Sequence, residues 1–210
     1  MLPISVTVGP SLASTANSIA VSQTPSGAGN LTLTATPFVL ATPQRILFTP
    51  AGAEASNGTI WTISGTDWNG NGVTETINGV NNPSTAQSLY DYLTVSQIAV
   101  NMAQAGAVTV GTNGVGSSRP IFLDTFAPAP TALQIDVTGT VNATVQQSLN
   151  DPNQSSGGYA AVNWINHPDP ALNGITGEVQ GNYAYIPRIV RILLNSGSGS
   201  VTLTVIQADM

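Results

Sequence analysis

Apolar and polar residues alternate with period two in short runs along most of the chain, and clusters of Gly, Asn, Pro and Ser separate the runs. Successive side chains of a strand face opposite ways, so this period predicts β-strands rather than helices. LTLTAT (31–36) alternates cleanly and RILFT (45–49) is rich in β-forming residues. GTIWTISGT (58–66) places Ile60, Thr62 and Ser64 on one face and Trp61, Ile63 and Gly65 on the other. DWNGNG (67–72) supplies turn residues before VTETI (73–77), so 59–66 and 73–77 are expected to form a hairpin. TVSQIAV (94–100) and AVTVGT (107–112) read as a second hairpin, and RIVRILLN (188–195) with VTLTVIQ (201–207) as a final one. ALQIDVTGTVNATVQQSL (132–149) predicts a long strand or a bent strand pair. The best helix candidate is NPSTAQSLYDYL (82–93), where Ser84 is placed to cap a short helix.

The runs suggest a division of the chain. Residues 1–28 alternate weakly, at Ile4 and Val6 and again at Ile19 and Val21, between Ser, Thr, Ala and Gly, which predicts an extended N-terminal arm over 1–30. A first β-sandwich unit follows over 31–118. GTNGVGSSRPIFLDTFAPAP (111–130) is Gly/Ser-rich and then Pro-alternating, which predicts a linker at 119–131. The second β-sandwich unit spans 132–210 and carries a long irregular loop, 150–185, with Tyr159, Trp164, Tyr183 and Tyr185. ISGT (63–66) is echoed by VTGT (137–140), and IAVN (98–101) by ILLN (192–195), as two related units would be. The expected fold class is all-β: a β-sandwich, jelly-roll or Ig-like, in two tandem units behind an extended N-terminal arm.

Charge narrows the function. Only 7% of the 210 residues are charged, the net charge is −6, and Arg45, Arg119, Arg188 and Arg191 are the only strong bases. Four arginines cannot assemble the basic face that phosphate neutralisation needs, so neither nucleic acid nor an acidic membrane surface is an expected partner. No stretch reaches the ~18 consecutive apolar residues of a spanning helix, and MLPISVTVGPSL (1–12) lacks the basic start of a secretion signal. With no cysteine, disulfides, thiol catalysis and Cys-ligated zinc are all excluded. Such a surface is built from Thr, Ser, Asn, Gln and Gly, and suits a chain whose neighbours are other proteins.

Candidate chemistry is sparse. His167, in NHPDP, is the only histidine and reads as a loop residue; Asp67 and Glu75 flank a hairpin with no pocket implied. No G-x-S-x-G elbow or phosphate-binding loop is present, so no enzymatic activity is expected. Asp67-Trp68-Asn69-Gly70-Asn71-Gly72 echoes the start of a calcium loop, but Asn78 stands where its closing Glu belongs, which favours a plain turn. No cofactor and no metal are expected. The expected partner-binding residues are Leu2, Ile4, Val6, Ile19 and Val21, alternating apolar positions awaiting a sheet edge, and Trp164 and Tyr183 in the long loop.

Several phrases carry a resemblance: SIAVSQTPSGAGNLTL (18–33), IWTISGTDWNGNGVTETI (60–77), VTVGTNGVGSSR (108–119), IDVTGTVNATVQQSLNDP (135–152) and GNYAYIPRIVRILLNSGSGSVTLTVIQ (181–207). Together they resemble structural proteins of tailed, podovirus-like bacteriophages. The resemblance implies a capsid cement or decoration protein, made in the host bacterial cytoplasm and placed on the capsid surface of the virion. Its implied partners are the major capsid protein and copies of itself in a homo-oligomer. A head–tail adaptor or tail component is the alternative within that class, and a host-glycan-binding module using Trp164 or Tyr183 the alternative outside it.

Overall fold

The computed structural model describes residues 3–11, 14–125, 130–154 and 162–207. Its strands are, in chain order, β1 (Ile4–Val8), β2 (Thr15–Gln23), β3 (Gly29–Asn30), β4 (Phe38–Pro50), β5 (Ile60–Thr66), β6 (Gly72–Asn78), β7 (Ala86–Val100) and β8 (Val108–Ser117). They continue as β9 (Ile121–Phe122), β10 (Thr131–Thr138), β11 (Val141–Ser148), β12 (Ile165–Asn166), β13 (Asn173–Ile175), β14 (Val179–Tyr183), β15 (Ile189–Gly197) and β16 (Ser200–Gln207). A short helix, α1 (Glu54–Asn57), lies between β4 and β5, and a 3-10 turn (Pro170–Leu172) precedes β13. The fold is all-β, with antiparallel sheets packed on apolar cores as a sandwich requires. Contacts divide the chain into two compact units: unit 1 is Met1–Ser11 with Gly116–Met210, and unit 2 is Leu12–Val115.

Unit 1 has two sheets. The first runs β1-β16-β10-β14, and in the second β15 pairs with β11, with β9 and with the last residues of β8, while β12 and β13 pair with β11. Val6, Leu133, Ile135, Val201 and Leu203 of the first sheet and Ala143, Val145, Val190, Ile192 and Leu194 of the second belong to one buried cluster. The chain changes sheets twice by a sharp bend. The bent strand pair expected over 132–149 is β10 and β11, turning at Gly139 (φ +78°). The final hairpin does not form: β15 and β16 lie in different sheets and turn at Gly197 (φ +119°), where a Cβ would strike the Thr140 carbonyl oxygen. Both strands bury one whole face, so each satisfies its alternation across the core rather than side by side.

Three expectations for this unit are corrected. The N-terminal arm is not free, because β1 pairs with β16 from Ile4↔Val205 to Val8↔Val201 and puts Val6 and Val8 into the core. Ser5 and Thr204 are 199 residues apart in sequence, so no local pattern reveals the partner. The 119–131 linker contributes to the unit: β9 pairs with β15, and Ile121 and Leu123 are buried. Residues 126–129 of that stretch lie outside the described residues. The 150–185 loop is built in part onto sheet edges, with β12 and β13 on β11 and β14 on β10; Tyr159 lies outside the described residues.

Unit 2 is organised on β4 and β7. The order is β8-β4-β7-β5-β6, with β2 on β8 and β3 on β7. The hairpin expected from 59–66 and 73–77 forms, paired from Ile60↔Asn78 to Thr66↔Gly72, with Trp61 and Ile63 inward. Trp61 stacks on Phe48 at 4.7 Å between ring centroids and 11° between planes. The hairpin expected from 94–100 and 107–112 is corrected, since β4 lies between β7 and β8. The helix expected at 82–93 is strand β7: Ala86, Ser88 and Tyr92, all of one parity, are buried, whereas Leu89 is 63% exposed. The second part of the expected arm is β2, whose Ile19 and Ala20 are fully buried.

α1 owes its place to a carboxylate. Glu54 is fully buried, and its side chain accepts hydrogen bonds from Thr59 Oγ1 (2.8 Å), Ala105 N (3.1 Å) and Gly106 N (2.8 Å). It thereby fastens the 101–107 connection between β7 and β8. A buried carboxyl group is tolerated because three donors replace its water.

Candidate functional site

The expected partner-binding residues separate into two groups. Leu2 lies outside the described residues. Val6, Ile19 and Tyr183 are not exposed positions: they are 4%, 0% and 6% exposed and pack in cores. Ile4 (37%) and Val21 (54%) remain at the surface, and Trp164 is half-buried. Of the apolar arm positions, Val6 and Ile19 thus lie on inner faces of strands whose partners are far away in sequence.

Exposed apolar groups do collect at one end of the second sheet of unit 1. Phe122 on β9 stands opposite Ile189 on β15, and Ile189 stands opposite Ser148 on β11. Leu149, 72% exposed, follows Ser148. Ile165 on β12 is opposite Gln147, whose Nε2 donates to the Tyr185 hydroxyl; Ile165 and Tyr185 are 56% and 51% exposed. Two arginines fix the surroundings. Arg188 lies over Phe122 at 5.5 Å from the ring centroid and donates two hydrogen bonds to Asp151 Oδ2, at 3.1 and 2.9 Å. Arg191 lies over the Trp164 ring at 4.2 Å, donating from Nε to Gln146 Oε1 (3.0 Å) and from Nη1 to Ser117 Oγ (3.2 Å). Asn153 N–H, first, and the Arg188 guanidinium hold the Asp151 carboxyl below the usual carboxylate range. Aromatic and aliphatic surface beside arginines that are already oriented is the composition of a protein-binding patch. Sequence reasoning found Trp164 and the loop but missed Phe122, Leu149 and Ile165, whose exposure depends on which strand edge each occupies.

Asp67, Glu75 and His167 are employed structurally. Asp67 Oδ1 accepts from Asn69 N (2.8 Å) and Asn71 N (2.9 Å), closing the hairpin turn. Glu75 accepts from Leu89 N and Tyr90 N, bridging β6 to β7, and burial pushes its carboxyl above the ordinary value against the pull of those bonds and of Arg45. His167 is buried against Tyr183, 4.6 Å between ring centroids, and its Nδ1 accepts from Asp169 N (3.1 Å). Burial holds its pKa below the usual value, opposed by Asp169 and the backbone at Asn182. A depression of about 330 Å³ between β10 and β14 is lined by Gln134, Asp136, Glu178 and Gln180, with Gln134 Nε2 donating to Asp136 Oδ1 (2.8 Å). Among the described residues no three metal-ligating side chains converge, and no helix is long and apolar enough to cross a membrane. No family model matches this chain, and no curated protein matches it.

Proposed function

We propose that the chain is a structural virion protein of a tailed phage, a cement or decoration protein on the capsid surface. It acts through protein–protein contacts with the major capsid protein and with its own copies. The observation that carries this reading is the set of exposed apolar side chains on the strand edges at one end of the second sheet of unit 1, Phe122, Leu149, Ile165 and Tyr185, on a chain with 7% charged residues. An apolar patch with few charges binds by desolvation and shape, so its contacts are largely insensitive to salt. The phage-like phrases of the sequence supply the class of partner.

The test is binding to purified heads that lack the protein, with copy number read against the major capsid protein. A cement protein saturates near the copy number of the shell subunit, and Leu149→Asp with Ile165→Asp weakens it by about tenfold or more without changing the melting temperature. Occupancy limited to a single ring points to an adaptor instead. Full occupancy by the double variant removes this patch from the interface.

A further inference from the structure

Unit 1 is completed by a strand that is not contiguous with the rest of it. Its residues from Gly116 onward form one continuous stretch, whereas β1 is joined to them only through the whole of unit 2. β1 is also an edge strand, with β16 as its only strand neighbour among the described residues. Its release would break no other strand pairing among the described residues. What it leaves is a slot that must be refilled, because Val6 and Val8 are core residues and pack in the same cluster as Leu203 and Val205.

The slot is selective for this strand. On the inner face it takes valines at alternate positions; on the outer face Ser5 Oγ meets Thr204 Oγ1 and Thr7 Oγ1 meets Thr202 Oγ1, each at 2.8 Å. A shift of one residue would bring hydroxyls into the core and valines into water, so both faces fix the register. Nothing charged lies on β1 or β16 to repel a second chain. A strand of identical sequence from another copy makes every one of these contacts, and the exchange costs only what association costs.

We propose that β1 is an exchangeable strand: in the assembled protein the segment Ile4–Val8 of one copy occupies the edge of β16 in the next, linking copies through unit 1. The interface is then the sheet itself, with backbone hydrogen bonds and two buried valines, and its partner is a second copy of this chain. The inference does not depend on the capsid reading; a chain with no place in a virion would still link in this way.

The sequence contains no cysteine, so a disulfide can report the partner directly. Full-length chains carrying Ser5→Cys are mixed with full-length chains carrying Thr204→Cys, unfolded together in urea, refolded at high concentration and oxidised. The expected product is a covalent heterodimer joined between positions 5 and 204, identified by peptide mapping, whose yield falls on dilution. The double variant Ser5→Cys/Thr204→Cys reports closure within one chain. Absence of the 5–204 linkage in the mixture, with or without closure in the double variant, overturns the proposal. Thr7→Cys with Thr202→Cys repeats the test one pair further along, should either first variant fail to fold, and is read by the same criterion.

Discussion

The sharpest test of the fold is to shorten the two valines of β1. Val6 and Val8 are 4% and 0% exposed and pack within the unit 1 core. Each Val→Ala removes two methyl groups, at about 0.8 kcal/mol apiece for lost burial, and leaves a cavity that brings the cost to about 2–3 kcal/mol per site. Val6→Ala/Val8→Ala together are therefore expected to cost about 5 kcal/mol, a large part of the ~5–15 kcal/mol that holds a domain folded. Ser5→Ala and Thr7→Ala, on the opposite face of the same strand, lose one surface hydroxyl pair each and should cost well under ~1 kcal/mol. Urea unfolding gives the totals, and amide exchange of β16 and β10 shows whether the loss is confined to the sheet that β1 borders. A free arm gives the opposite pattern, with the valine and hydroxyl variants alike and the amides of β16 unchanged. A loss under ~1 kcal/mol for the valine pair refutes the placement of β1 in the core.

Three further outcomes follow from particular residues. Glu54→Gln turns one acceptor into a donor facing Thr59, Ala105 and Gly106 and should cost about 2–4 kcal/mol by denaturant titration. Asp67→Ala frees the amides of Asn69 and Asn71 and should cost about 1 kcal/mol, and saturating calcium should leave the melting temperature of the unaltered protein where it is. A calcium-dependent rise that disappears in Asp67→Ala would show that the turn binds the ion. His167 has its folded pKa lowered from 6.5, so the unfolded chain takes the proton first. Stability is then level above about pH 6.5 and declines as the pH falls below it towards the lowered folded value, a decline that melts should show to be blunted in His167→Gln.

How much of this was legible in the sequence depends on the range of the interaction. The Ile60–Asn78 hairpin was readable because its turn, its alternation and its partner all fall within twenty residues. The strands of β10, β11, β15 and β16 were readable as strands, but their partners were not. Period two states that a residue alternates; it does not state whether the next strand lies beside it or across the core. Gly139 and Gly197 decide that by turning the chain between sheets, and in sequence they look like any hairpin glycine. The helix at 82–93 failed for a related reason. Ser84 offers a cap, but the decisive residue is Ser88, which is buried and donates its hydroxyl to Tyr90 O while accepting from Ile46 N, a cross-strand bond invisible before β4 is placed beside it.

The candidate site was the least legible part, and the cause is charge. In most chains a functional surface is marked by ionisable residues in a recognisable pattern, but here the ionisable groups are spent on structure: Glu54 on a loop, Asp67 on a turn, Glu75 on a bulging strand, Asp151 on Arg188. What remains at the surface to recognise a partner is apolar side chains and strand edges, and neither has a signature of its own. Leu149 and Leu194 are indistinguishable as letters, yet one is 72% exposed and the other fully buried. The same holds for β1, whose alternation fits an unattached arm, a core strand and a strand shared between copies equally well. Only the edge it occupies distinguishes the first of these from the other two, and only its partner in the assembly distinguishes the second from the third.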